Sequence, residues 1–118
     1  MVKMIVAREF EFDSAHKLEW YDGKCKDLHG HTYRLQVFVK EEVNKQGVVI
    51  DFYELNNMVK QFVVDLLDHK YLNEIIENPT AENICVWIWS ELKDRLNGLF
   101  EIKLWENSKS FVIYRGGR

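Results

Sequence analysis

Three histidines near the start of the chain, His16 and the pair in His29-Gly30-His31, have the residue type and spacing to hold a metal ion. In a strand, residues two apart point to the same side, so the imidazoles of His29 and His31 face one space. If the segment that ends at His16 pairs with theirs as a hairpin, a third imidazole joins them. Three neutral imidazoles from two neighbouring strands suit tetrahedral zinc and leave its fourth position open. Gly30 is expected to let the backbone bend tightly between the two ligands. Spacing alone leaves a second reading open, because H-x-H pairs also occur as surface histidines or as hydrogen-bonded core residues. Two points bear on the choice. The chain has four histidines, of which three reach one point under the metal reading. His31 also begins the apolar face of its strand, where an unliganded polar ring needs a partner.

The elements that must position these residues show in the hydropathy pattern. Residues 3–12 alternate weakly and predict a strand that His16 directly follows. Residues 31–40 alternate more regularly, with Tyr33, Leu35, Val37 and Val39 opposite Thr32, Arg34, Gln36 and Lys40. The polar connection over 17–28 is long for a hairpin loop, and loops of that length are often functional. From Asp51 the period becomes helical: Phe52, Leu55, Val59, Phe62, Val63 and Leu66 predict an amphipathic helix over about 51–67. Pro79 stops the next connection, and Thr80 is placed to cap a second helix that runs to about Asn97-Gly98. Phe100, Ile102 and Leu104 alternate with Glu101 and Lys103 in a third strand, and a fourth follows over about 110–114. Glu106 shares the inward parity of Phe100, Ile102 and Leu104, so its carboxylate needs a partner or a pocket unless it reaches solvent at the strand end. The order ββααββ predicts one α+β domain over residues 1–118, with a four-stranded antiparallel sheet and two helices on one face.

Composition narrows the class. Apolar residues make up 47% and charged residues 30% of the 118, an ordinary globular balance. A net charge of −3 without a dense Lys/Arg stripe gives no reason to expect nucleic acid as a partner. The longest apolar run, Ile84 to Trp89, is far too short for a membrane span. The run Met4 to Ala7 is broken at once by Arg8 and Glu9, unlike a secretory leader, so a cytoplasmic protein is expected. Cys25 and Cys85 are too few for a disulfide framework. Cys85, within Ile84-Cys85-Val86-Trp87, is expected to be a buried helix residue.

Taken together, Phe12-Asp13-Ser14-Ala15-His16, Cys25-Lys26-Asp27-Leu28-His29-Gly30-His31, Asp68-His69, Pro79-Thr80-Ala81-Glu82-Asn83 and Trp105-Glu106 resemble the 6-pyruvoyltetrahydropterin synthase family. That family includes the 6-carboxytetrahydropterin synthases of the queuosine and deazapurine pathways. The motifs span nearly the whole chain in the family's order. The resemblance implies the tunnelling fold (T-fold), whose ββααββ subunits assemble into barrels. It also implies a homo-oligomer, a hexamer built from two trimers, with one zinc per chain at His16, His29 and His31.

For the chemistry, the resemblance implies that Cys25 is the catalytic thiolate. A nearby divalent cation and the flanking Lys24 and Lys26 would lower its pKa toward neutrality. It implies that Asp68 and His69 work with Cys25 as a proton relay, reaching it from a neighbouring subunit. Position alone would make His69 a residue favoured by a helix C-terminus. The matching glutamate of the family, here Glu106, anchors the pterin by taking adjacent N–H donors on two carboxylate oxygens. Thr80 and Glu82 lie where the family also contacts the pterin, although a helix cap and a first-turn acid are equally ordinary roles for them. The family often has Thr where this chain has Ala81, so a side-chain contact there is not carried over. Lys17, Lys24 and Lys26 are positive charges near the expected triphosphate.

The implied reaction is that of a zinc lyase acting on 7,8-dihydroneopterin triphosphate. One family outcome keeps the side chain as 6-pyruvoyltetrahydropterin, and the other cleaves it to 6-carboxytetrahydropterin and acetaldehyde. In the pyruvoyl-forming enzymes five residues separate the catalytic Cys from the first His of H-x-H, and in the carboxy-forming enzymes three. Here Lys26, Asp27 and Leu28 make three, which implies the carboxy product. A non-catalytic zinc-stabilised pterin- or purine-binding module on the same fold would lack one or more of Cys25, Asp68 and His69, and all three are present.

Overall fold

Alternation along two long strands sets the frame. In the computed structural model, which describes residues 2–23 and 26–117, β1 (Lys3–His16) and β2 (His29–Glu42) pair antiparallel over their whole length. Tyr33, Leu35, Val37 and Val39 are all buried on one face of β2, as their alternation requires. Full burial of an apolar side chain of this size contributes about 1.5–3 kcal/mol, so this row alone ties the sheet firmly to the layer above it. The strands are longer than the hydropathy signal. β1 continues through Ser14 and His16, polar residues that the pattern cannot mark as inward although both are buried.

That layer is helical. Asp51 caps α1 (Phe52–Val59), accepting from the Tyr53 amide at 3.3 Å. The helix then widens into a π-helical turn over Lys60–Val64 and closes with a last turn, α2 (Asp65–Leu67). Its buried seam is Leu55, Val59, Val63 and Leu67, a strict four-residue repeat. At 3.6 residues per turn such a row drifts around the helix, and the wider π turn brings it back onto the core. Of the six residues predicted to form the apolar face, Phe52 and Leu66 are exposed, and Leu66 follows the π turn that shifts the phase of the repeat.

After α2 come a two-residue strand, β3 (Lys70–Tyr71), and a 3₁₀ turn at Leu72–Glu74. β3 pairs parallel to β1 through Ser14–Lys70 and Ala15–Tyr71, so among the described residues the sheet has five strands in the order β3-β1-β2-β4-β5 rather than the predicted four. Two residues are too few to leave a periodic signal. α3 (Ala81–Leu92) starts at Thr80, whose hydroxyl accepts from the Asn83 amide at 3.1 Å. It stops at Leu92, earlier than the predicted Asn97, and turns carry the chain to Gly98 at φ +77°.

β4 (Leu99–Trp105) and β5 (Phe111–Tyr114) complete the sheet. A bulge in β4 sets Val39 against Leu99 while Phe38 faces Glu101, so Leu99 is buried and Phe100 is only half-buried. Glu101, expected on the polar side, is buried and receives the Arg115 guanidinium at 2.7 Å. Cys85 is buried as expected, and burial with Glu82 nearby pushes its thiol pKa up to about 12. Among the described residues, no helix is long and apolar enough to cross a membrane.

Candidate metal and pterin site

The register of β1 and β2 places His16 directly opposite His29 and Ser14 opposite His31. The three rings gather at the end of the hairpin, with centroids 4.6 Å (16–29), 5.0 Å (16–31) and 4.8 Å (29–31) apart. One nitrogen from each lies within 4.8 Å of the others. Gly30 makes no tight bend between them. It is a regular β2 residue paired with Ala15, and a Cβ there would meet only the Ser14 carbonyl at an ordinary 3.6 Å. The strand pleat itself aims His29 and His31 to one side.

The hydrogen bonds show which nitrogens are free for a metal. His16 Nδ1 lies 2.8 Å from the Pro79 carbonyl, and His29 Nδ1 lies 2.7 Å from the Asp27 carbonyl. A carbonyl only accepts, so both Nδ1 atoms carry the hydrogen and both lone pairs sit on Nε2. Those two Nε2 atoms face each other at 3.0 Å. Two lone pairs at that distance repel unless a cation or a proton lies between them. Among the described residues, the buried His31 Nε2 has no hydrogen-bond partner, since the Glu106 carboxylate at 3.6 Å is too far for one. Burial, with His16 and His29 adding to it, holds His31 below the usual histidine value, while Glu106 acts in the opposite direction. A donor set of neutral imidazoles, two of them anchored through the far nitrogen, fits a bound metal ion.

Tyr33 is a part of the site that the sequence reading missed. It is fully buried, its ring centroid lies 5.5 Å from that of His31, and its hydroxyl is 3.4 Å from His16 Nδ1. Burial and the Glu106 charge push its pKa well above the ordinary phenol range. Its place two residues after His31 on the inward face was the available signal.

Asp68 and His69 leave α2 at the outer edge of β1. Leu67 offers one of the unpaired carbonyls of a helix end, which accepts from the buried Ser14 hydroxyl. His69 then takes φ +57°, in the left-handed region, and its amide donates to the Asp13 carbonyl at 2.6 Å. The Asp13 amide donates to Asp68 Oδ1 at 2.9 Å, and Asp68 Oδ2 lies 3.0 Å from His69 Nδ1. The Asp13 amide is the largest influence holding the Asp68 carboxyl below its usual value, with His69 next. His31 and His69 both line one groove of about 570 Å³, together with Asp13, Gly30, Thr32 and Lys70.

Glu106 follows β4 on the inward parity and is partly buried beside His31. Thr80 acts as the helix cap, and Glu82 is an exposed first-turn acid. Lys17 pairs with Glu19 at 3.5 Å. Cys25 and Lys24 lie outside the described residues; next to them, the Lys26 amide donates to the Gly23 carbonyl at 3.2 Å.

A long β hairpin, a helix layer on one face and a histidine triad at the hairpin's end define a T-fold protein with a metal-competent site. A solved structure of Caenorhabditis elegans 6-pyruvoyl tetrahydropterin synthase superposes with a TM-score of 0.89 at 27% identity, covering 99% of this chain and 98% of that one. Residues 5–117 match the 6-pyruvoyl tetrahydropterin synthase family model, and the chain belongs to that family. A 6-carboxy-5,6,7,8-tetrahydropterin synthase of Haemophilus influenzae is 36% identical over 93% of this chain and 97% of its own length. A dihydroneopterin monophosphate aldolase of Pyrococcus furiosus is 42% identical over 83% of this chain and 85% of its own.

Proposed function

We propose that the chain is a zinc-dependent lyase that converts 7,8-dihydroneopterin triphosphate and one water to 6-carboxy-5,6,7,8-tetrahydropterin, triphosphate and acetaldehyde. The observation that carries this reading is the convergence of three imidazoles at the end of the hairpin, with the Nε2 atoms of His16 and His29 facing each other. His16, His29 and His31 hold the ion. When bound, zinc supplies a Lewis acid that acidifies the C–H and O–H bonds of the substrate side chain. Cys25 takes and returns protons at that side chain. Asp68, with Oδ2 3.0 Å from His69 Nδ1, orients the imidazole, and the pair relays protons to and from the thiol. Glu106 receives the adjacent N–H donors of the pterin ring, with Thr80 and Glu82 at its margin.

The three-residue tether between Cys25 and His29 supports the carboxy product, because a shift in where a base sits redirects proton abstraction. The Haemophilus relative's name points the same way. The natural setting of such a reaction is the cytoplasmic supply of a queuosine or deazapurine precursor. We also place the chain in a homohexamer of two trimers. Among the described residues, the outer edge of β5 is unpaired and β3 covers β1 only at Ser14 and Ala15, and barrel closure removes such edges.

The test is mass spectrometry of the products from dihydroneopterin triphosphate, with a parallel assay for acetaldehyde and light scattering for the assembly. Acetaldehyde matching triphosphate release is the expected result. Triphosphate release without acetaldehyde moves the chain to the pyruvoyl-forming branch. The Pyrococcus relative supports a second reading, and turnover of the monophosphate but not the triphosphate would establish it. An active monomer would overturn the assembly.

A further inference from the structure

His16 is fully buried on β1, yet its orientation is decided by backbone far along the chain. Its Nδ1–H ends on the carbonyl of Pro79, in the turn that starts α3. Proline has no amide hydrogen, so other residues must hold this turn in place. Asn78 stands before it at φ +49°, a left-handed conformation that Asn tolerates better than most residues. The Asn78 carbonyl accepts two hydrogen bonds, from the Thr80 amide at 2.8 Å and from Asn83 Nδ2 at 2.8 Å. The Asn78 side chain in turn accepts from Trp20 Nε1. With the peptide planes on both sides of Pro79 fixed, its carbonyl faces His16. The Nδ1–H···O=C bond then keeps the lone pair on Nε2 and raises its basicity toward a metal.

We propose that Asn83, acting through the Asn78–Pro79 turn, is a positioning residue for the metal-binding nitrogen of His16. The inference rests on the reading of His16, His29 and His31 as a metal site. The functional account leaves Asn83 without a role, although it closes the Pro79-to-Asn83 motif. A structural role confined to starting α3 would need only its amide, which donates to Thr80. The side-chain amide reaches back to the turn instead.

The experiment measures zinc affinity of the full-length protein by competition with a chromophoric chelator, alongside thermal melting of the metal-free protein. Asn83→Asp keeps the side-chain shape, and an acid in the first turn of α3 suits the helix dipole. Its carboxylate cannot donate to the Asn78 carbonyl and repels it. Zinc affinity is expected to fall about 10–100-fold while the metal-free Tm stays at the wild-type value. The added negative charge would by itself strengthen cation binding, so charge cannot produce the fall. Asn83→Ala should lower affinity in the same direction. Thr80→Ala weakens the same helix start through its cap, and should lower Tm with zinc affinity held.

Wild-type affinity in Asn83→Asp would overturn the proposal. So would losses in Asn83→Ala and Thr80→Ala that simply track their losses in Tm. Wild-type protein that takes up no zinc would overturn the metal site itself and this inference with it, an outcome distinct from the other two.

Discussion

The Nε2 atoms of His16 and His29 face each other at 3.0 Å, while a main-chain carbonyl holds the other nitrogen of each ring. With neither a cation nor a proton between them this is a repulsive contact, and a shared cation converts it into the most favourable part of the site. The purified protein is therefore expected to carry about one zinc per chain, as a three-histidine site with an open position implies. Elemental analysis checks this, and His31→Ala should lose both metal and turnover. Metal-free, fully active protein would defeat the assignment.

The same site predicts a pH dependence with a definite sign. Burial holds His31 below its unfolded value of ~6.5, so the ring is neutral and able to bind metal above that pH. At His31, proton competition begins only as pH falls through the lowered folded value. Metal retention measured by equilibrium dialysis should be flat above about pH 6.5 and decline in acid below it. A decline that starts on the alkaline side of that value would contradict the neutral-imidazole arrangement.

Cys25 and the ligands should separate cleanly. Cys25→Ala is expected to abolish turnover while zinc content stays near wild type if, as proposed, the thiol acts on substrate rather than on the ion. Activity and metal content measured on one preparation make the comparison, and wild-type activity in this variant would remove Cys25 from the mechanism.

Glu106→Gln keeps the size of the side chain but loses the charge that takes two N–H donors. A charge-assisted hydrogen bond contributes about 1.5–3 kcal/mol, so pterin binding should weaken by roughly 10–100-fold. Zinc content should not change, since Glu106 stands 3.6 Å from His31 without bonding to it. An unchanged KM and pterin affinity would show that another group anchors the ring.

The Asp13 amide and His69 hold the Asp68 carboxyl below its usual value. A carboxylate whose folded pKa is depressed contributes stability that is complete above its unfolded value of ~3.9. That stability is lost as pH falls through the folded value. The Tm gap between wild type and Asp68→Asn should be constant above about pH 3.9 and close in stronger acid. A gap that is absent at neutral pH would mean that the charge on Asp68 adds nothing to this turn in solution, since an Asn oxygen still accepts from the Asp13 amide.

Side-chain periodicity carried much of this protein. The alternation from Tyr33 to Val39 determined the inward face of β2, and with it the common direction of His29 and His31, because a strand repeats every two residues. Thr80 was legible as a cap because its chemistry is local. The family motifs, present in order along the chain, gave the fold and the residues worth testing.

Tertiary structure decided what depends on partners distant in sequence. That His16 meets His29 follows from the β1–β2 register, and its tautomer from a carbonyl in another turn. The left-handed turn at His69 is fixed by Asp13 and Ser14, fifty-odd residues earlier. The π turn and the β4 bulge shift the phase of a repeat, so Leu66 and Phe100 departed from the faces that periodicity assigned them. Local pattern reports how a residue relates to its own helix or strand. Which atoms meet across elements is set by packing, and the sequence does not display that directly.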